Sequence, residues 1–263
     1  MPSTALADRS LIDVKGADAR SFLQGLITCD MDKVSPQQAG FGALLTPQGK
    51  IITDFVVVEQ GESFFLDTPS SQVADLMKRL TLYKLRAQVS VTERPDLAVA
   101  AIWDEAHPAA AYADPRSNEL GARVICARSA LDGYGENGPL YEARRIAAGI
   151  PKGGVDFTYG DAFPHDANMD LIHGVDFRKG CYVGQEVVSR VQHRGTARRR
   201  ILRVTLNGAA PAHGTAILAG DAEIGTLGSS AGQVALASLR VDKLEDARKA
   251  GVPVTAANAV LLP

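Results

Sequence analysis

The sequence predicts an α+β fold, with two mixed regions followed by a small β-barrel or sandwich. Three observations carry that expectation. The chain has 263 residues, enough for roughly two domains at ~150 residues each. Strand-like runs and helical periodicities alternate as far as Gly149. From Arg199 onward only short β stretches appear, broken by one amphipathic insertion at 242–249.

Each element has its reason. Residues 18–27 place Phe22, Leu23, Leu26 and Ile27 on one helical face. Residues 40–46 and 50–59 are apolar runs on either side of Pro47-Gln48-Gly49, a turn signature. A second turn at Gln60-Gly61-Glu62 leads into residues 63–67, which makes a meander. Pro69-Ser70 opens a helix with Val73, Leu76, Met77 and Leu80 at helical spacing, and Ser70 is its expected N-cap. Residues 88–92 alternate as a half-buried strand does, and 97–103 read as a more buried strand. Residues 107–119, rich in Ala, Pro and Asp, are expected to be a loop. A strand at 121–127 and a helix at 140–148 follow, with Gly149 as C-cap. Residues 153–176 show little periodicity, and 201–206, 216–219 and 233–239 are the late β stretches.

Composition narrows the function classes. Hydrophobic residues are 46% and charged residues 22%, which excludes a disordered chain. A net charge of −2 gives no global positive field, so a dedicated nucleic-acid binder is not expected. Cys29, Cys126 and Cys181 are far apart and form no C-x-x-C. A disulfide framework or a metal site is therefore not expected, and the pattern fits a reducing, cytoplasmic setting. Residues 1–13 lack a basic stretch followed by an apolar run, and apolar runs such as 55–58 are short. No signal peptide and no membrane span are expected.

Gly133-Tyr134-Gly135-Glu136-Asn137-Gly138 satisfies G-x-G-x-x-G. Three features count against a nucleotide site. Arg128, Ser129 and Asp132 separate the first glycine from its strand, the earlier segments read as hairpins, and Pro139 suits the first position of a new helix.

The most distinctive stretch is Lys179-Gly180-Cys181-Tyr182-Val183-Gly184-Gln185-Glu186. Glycines bracket the Cys and Tyr, so the backbone is free to take conformations closed to other residues. Arg178, Lys179 and Arg190 lie near Cys181 in sequence, and positive charge favours the thiolate. An inert, buried Cys in a tight turn is the competing reading. Glu186 and Arg190 are also spaced to pair on a helix face.

This stretch resembles the K-G-C-Y-x-G-Q-E signature of the YgfZ-type folate-binding proteins, in the superfamily of the glycine-cleavage T-protein (aminomethyltransferase). The resemblance covers most of the chain. Phe22-Leu23-Gln24-Gly25 with Thr28, Thr46-Pro47-Gln48-Gly49-Lys50 with Asp54, and Tyr83-Lys84-Leu85-Arg86 look like the N-terminal pattern. Glu142 to Pro151, Phe163-Pro164 and Asn168 resemble the run before the signature. Arg194-Gly195, Arg198 to Arg200, Gly225, Gly228-Ser229-Ser230 and Ala235-Leu236-Ala237 resemble the C-terminal barrel.

The resemblance implies a ring of three domains: a folate-binding α+β domain at 1–95, a second at 96–196 with the signature, and a barrel at 197–263. The second is expected to interleave with the first. It implies tetrahydrofolate, or a derivative, as ligand, and a role in forming or repairing iron–sulfur clusters with iron–sulfur proteins or assembly factors as partners. Cys181 and Lys179 would act, with Gly180, Tyr182, Gly184, Gln185 and Glu186 completing the signature. Asp54 matches the folate-proximal acid; Tyr83 and Arg194 are further candidates for the folate site. A pterin needs an acid or amide and an apolar wall, for which Phe41, Tyr83, Phe157 and Phe177 are candidates, each otherwise plain core. The run Arg190, His193, Arg194, Arg198, Arg199, Arg200 is a candidate for the folate carboxylates, or simply a solvated basic edge.

One departure stands out. T-proteins carry a Glu in an R-(I/L)-E-A-G pattern, where this chain has Arg145-Ile146-Ala147-Ala148-Gly149. The expectation is thus the aminomethyltransferase fold without that transfer, with a one-carbon transferase as the alternative. An RNA-associated module built on 194–200 is a third reading, without interleaved aromatics to favour it.

Overall fold

The structure, a computed structural model, describes residues 2–104, 108–195 and 197–262. Its first sheet is antiparallel, with five strands in the order Gly40–Leu45, Ile51–Gln60, Ser63–Pro69, Arg9–Lys15, Ser90–Glu93. Residues 51–58 are buried without a break. Strand alternation sends Phe55 and Val57 to one face, and an irregularity in the pairing at Leu44–Leu45 brings Ile52 to the same side, against Leu23 of the Ala19–Gln24 helix and Leu76 and Leu80 of the Val73–Lys84 helix. Ile51, Val56 and Val58 face the other way, against Tyr112, Met169, Val175, Tyr182 and Val188. Both faces are covered, which is why this strand reads as continuously apolar.

A four-stranded sheet follows, in the order Ser3–Ala5, Leu97–Ile102, Ala122–Ala127, Ala111–Ala113. The chain's first strand thus pairs with residues about a hundred positions later. The G-x-G-x-x-G stretch serves this pairing: Asn137 Nδ2 donates to the Ser3 carbonyl at 3.0 Å, and the Gly135 N–H to Ser3 Oγ at 3.3 Å. The strand before it lies in an antiparallel sheet, so the βαβ context of a dinucleotide site is missing.

The C-terminal region closes into a six-stranded barrel. Along Arg199–Asn207, Leu202, Val204 and Leu206 alternate inward, and Leu227, Ala237 and Leu261 from other strands fill the interior, while Ile201 packs on the outer side with Ile146 and Leu236. The Val241–Lys249 helix lays Leu244 and Ala247 on the same core. Sequence reading missed the strands Ala222–Ala231, Val254–Ala256 and Ala259–Leu262, where Gly and Ala are frequent and alternation is weak.

Local details depart from expectation. Ser70 does not cap its helix; a short 3-10 turn, Ser70–Gln72, intervenes, and Ser70 Oγ instead bonds Ser10 Oγ at 2.8 Å. The expected loop at 107–119 contains the strand Ala111–Ala113 and a 3-10 turn at Asn118–Leu120, while His107 lies outside the described residues. Residues 153–176 contain no helix or strand, and Ala148 caps the Gly138–Ala147 helix, with Gly149 following at φ +72°.

Candidate functional site

The signature lies on a loop, followed by the Gln185–Arg194 helix. Its side chains divide between inside and outside. Lys179 points inward, 7% exposed, and its ammonium donates to the Ile27 and Cys29 carbonyls at 2.6 and 2.7 Å. Burial pulls its pKa down, against the pull of nearby acids. Tyr182 is a core side chain whose ring centre lies 5.2 Å from that ammonium, and burial pushes its phenol up to about 12. Asp176 accepts from the Arg178 and Lys179 N–H groups at 2.7 and 3.1 Å and pairs with Lys33. The Asp176 N–H in turn reaches the Thr28 carbonyl at 2.9 Å. Residues 27–29 and 174–179 are thus stitched into one rigid base.

Cys181 stands on that base, exposed. Two residues from the thiol in sequence, the Lys179 ammonium is engaged by carbonyls on the inner side of the loop, because a carbonyl buried there without a donor would be costly. Glu186 and Arg190 pair at 2.5 Å on the helix surface, as their spacing predicts. Gln185 is the half-buried first residue of the helix.

The two glycines differ. Gly184 has φ +82°, and a Cβ there would lie 2.6 Å from the Thr46 carbonyl and 3.1 Å from Gly49 Cα. The Pro47-Gln48-Gly49 turn therefore packs directly on the start of the signature helix. Gly180 has open space around it and no left-handed φ. Accordingly, Gly184→Ala should lower the unfolding free energy by about 2 kcal/mol or more, whereas Gly180→Ala should change it little. Urea denaturation of both variants measures the contrast.

The other thiols are sheltered. Cys29 is 5% exposed, and burial pushes it up to about 12. Cys126 is half-buried and also raised by burial. Brief alkylation near neutral pH should therefore label Cys181 first and Cys29 at least on the order of tenfold more slowly, as read by peptide mass spectrometry.

The expected folate residues have different surroundings. Asp54 was expected near a surface turn, but it is 6% exposed within the Ile51–Gln60 strand, and its carboxylate accepts the Tyr159 hydroxyl. Burial and that carboxylate push the Tyr159 phenol far up. Tyr83 packs on the helix-covered core of the first sheet. Arg194 is exposed at the far end of the signature helix, and Ala147 is an exposed residue whose carbonyl accepts from Arg203 at 2.9 Å.

Two clefts lie elsewhere. One, of about 490 Å³, is lined by Cys29, Lys33, Phe41, Asp114, Asn118 and Asp176 among others. A second, of about 380 Å³, lies between residues 155–166 and the barrel. Sequence reading missed a buried charge ladder beside the first: Arg9–Asp67 at 2.6 Å, Asp67–Arg123 at 2.5 Å, Arg123–Asp114 and Asp114–Arg116 both at 2.8 Å. One signal was present, namely a single charge in each of two apolar runs, Phe64-Phe65-Leu66-Asp67 and Ala122-Arg123-Val124-Ile125.

Comparison with known proteins places this architecture. Residues 6–104 match the GCVT N-terminal domain, and residues 198–262 the CAF17 C-terminal beta-barrel domain. Mouse and human iron–sulfur cluster assembly factor IBA57 are each 32% identical, across 91% of this chain and 78% of theirs. The chain belongs to the IBA57 family. A Neurospora crassa IBA57 homolog is 35% identical over 79% of the chain, and the chain spans little more than half the length of that and other fungal IBA57 relatives. The crystal structure of glycine cleavage system aminomethyltransferase T from Bartonella henselae superposes with a TM-score of 0.77 at 16% identity, covering 99% of this chain and 83% of that one. The fold is therefore of the T-protein type, as expected, and the family is IBA57, related to the YgfZ branch without being it. The cytoplasmic expectation is corrected: these IBA57 relatives are mitochondrial by name. Cysteine spacing reports only a reducing setting and cannot separate one such compartment from another.

Among the described residues no helix is long and apolar enough to cross a membrane.

Proposed function

We propose that this chain is an iron–sulfur cluster assembly factor that works through Cys181. The observation that carries the reading is the exposed thiol on a base clamped by Lys179 and Asp176, in a chain of the IBA57 family. A cluster takes about four ligands, and this loop offers one thiol, so the partner supplies the others. In a strain lacking the gene, iron–sulfur enzymes should lose activity while metal-independent enzymes of the same pathways keep theirs. Unchanged iron–sulfur enzymes together with lost glycine cleavage would overturn the reading in favour of one-carbon transfer.

Tetrahydrofolate remains part of this proposal, seated in the Phe41 cleft. The cleft offers an aromatic wall, the amides of Gln37, Gln38 and Asn118, and the Lys33 ammonium, which would exchange its Asp176 partner for a folate carboxylate. Calorimetric titration with tetrahydrofolate should show affinity falling about tenfold in Lys33→Ala and holding in Asp54→Asn. The opposite pattern would move the ligand back to Asp54.

A further inference from the structure

The Phe41 cleft and the loop that carries Cys181 share a wall. Cys29, Asp30, Lys33, Val175 and Asp176 line the cleft. The same two segments hold the loop from beneath. The Cys29 carbonyl accepts from the Lys179 ammonium at 2.7 Å, and Asp176 Oδ1 accepts from the Arg178 and Lys179 N–H groups at 2.7 and 3.1 Å. Thr28 ties the segments to each other. Its carbonyl accepts from the Asp176 N–H at 2.9 Å, and its buried hydroxyl donates to the Gly174 carbonyl at 2.5 Å.

One carboxylate serves both places. While Asp176 Oδ1 caps the loop, Oδ2 pairs with Lys33. The Lys33 ammonium also stands 3.9 Å from Asp30 Oδ2. Lys33 is therefore the cation between two half-buried acids, one from each segment, and it is itself exposed, so a ligand anion can reach it. Burial alone would raise the Asp176 pKa, but Lys33 and the loop N–H groups outweigh burial and hold the carboxyl below its usual value. With Lys33 drawn away, Asp30 and Asp176 would face each other uncompensated, and like charges sharing a site repel.

We infer that Asp176 is a positioning residue for Cys181, and that a carboxylate ligand in the cleft loosens the thiol's loop by drawing Lys33 off Asp176. The ligand's part rests on the reading of the Phe41 cleft above. No long relay is needed, because a single side chain bonds to the cleft's cation and to the loop's backbone. The cleft ligand would thus set how firmly the thiol is held, and a state of the loop that favours opening would favour the ligand by the same factor.

The test uses the whole protein and reads two rates together: alkylation of Cys181, with Cys126 as internal reference, and deuterium exchange of the Arg178 and Lys179 amides. Saturating tetrahydrofolate should speed both about threefold, the scale of a partly exposed ion pair. Lys33→Ala should show the faster rates with no ligand present. Asp176→Ala should be fast with or without ligand. Asp176→Asn should keep wild-type rates and ignore the ligand, because its amide oxygen still accepts both N–H groups and carries no charge to repel Asp30. It should bind tetrahydrofolate at least as tightly as wild type, since Lys33 is then free of Asp176. Circular dichroism confirms that each variant folds. Wild-type rates in ligand-free Lys33→Ala, or a ligand response that survives in Asp176→Asn, would overturn the inference. Unchanged or slower Cys181 labelling in wild type that calorimetry shows to be saturated would overturn it too, and would leave the cleft reading standing. Absent binding would overturn the cleft reading and the ligand's part in the coupling, while the ligand-free rates of Lys33→Ala, Asp176→Ala and Asp176→Asn would still decide the role of Asp176.

Discussion

Replacing Asp114 by alanine is expected to lower the unfolding free energy by about 3–5 kcal/mol, because it strands Arg123 and Arg116 without their shared acid. Asp114 is 2% exposed, and its carboxylate receives both guanidinium groups at 2.8 Å. Burial alone would raise its pKa, but the two cations outweigh burial and hold it well below the usual carboxylate range. The sign of the pH dependence follows. A group whose folded pKa is depressed contributes its full stability above its unfolded value, about 4. That contribution is lost as pH falls through the lower folded value. Wild-type urea midpoints should therefore drop from about pH 4 downward, and Asp114→Asn should start lower and slope less. A variant within ~0.5 kcal/mol of wild type would mean that the ladder is not a net support of the junction between the two sheets.

The second large effect concerns Lys179. Lys179→Ala removes two charged hydrogen bonds and leaves the Ile27 and Cys29 carbonyls without those donors. At about 1.5–3 kcal/mol for each such bond, the loss should be roughly 3 kcal/mol or more. The exposed Cys181 should keep labelling ahead of the other thiols, while Cys29 should gain reactivity as the clamp opens. A stable variant with slowed Cys181 alkylation would instead give Lys179 the activating role its sequence position suggested.

This contrast marks how far the sequence could be read. Hairpins were legible where apolar runs met a turn, as at Thr46-Pro47-Gln48-Gly49-Lys50, because strand pairing there is local. The Glu186–Arg190 pair was legible for the same reason. The direction of Lys179 was not, since neighbours in sequence alternate between inside and outside, and its partners lie some 150 residues earlier. The engagement of Asp54 by Tyr159 spans 105 residues, and residues 153–176 carry no periodicity that would announce it. The signature exposed the thiol correctly because its specificity came from eight contiguous residues. Tyr83 and Arg194 lie in separate motifs, and nothing in their spacing reports that one packs on the first core while the other is exposed.

The most direct test is complementation with Cys181→Ser at wild-type protein level, beside Cys29→Ser and Cys126→Ser. An exposed thiol contributes little burial, so the Cys181 variant should fold, accumulate normally and fail to restore iron–sulfur enzyme activity, while Cys126→Ser restores it. Full rescue by Cys181→Ser would contradict the account.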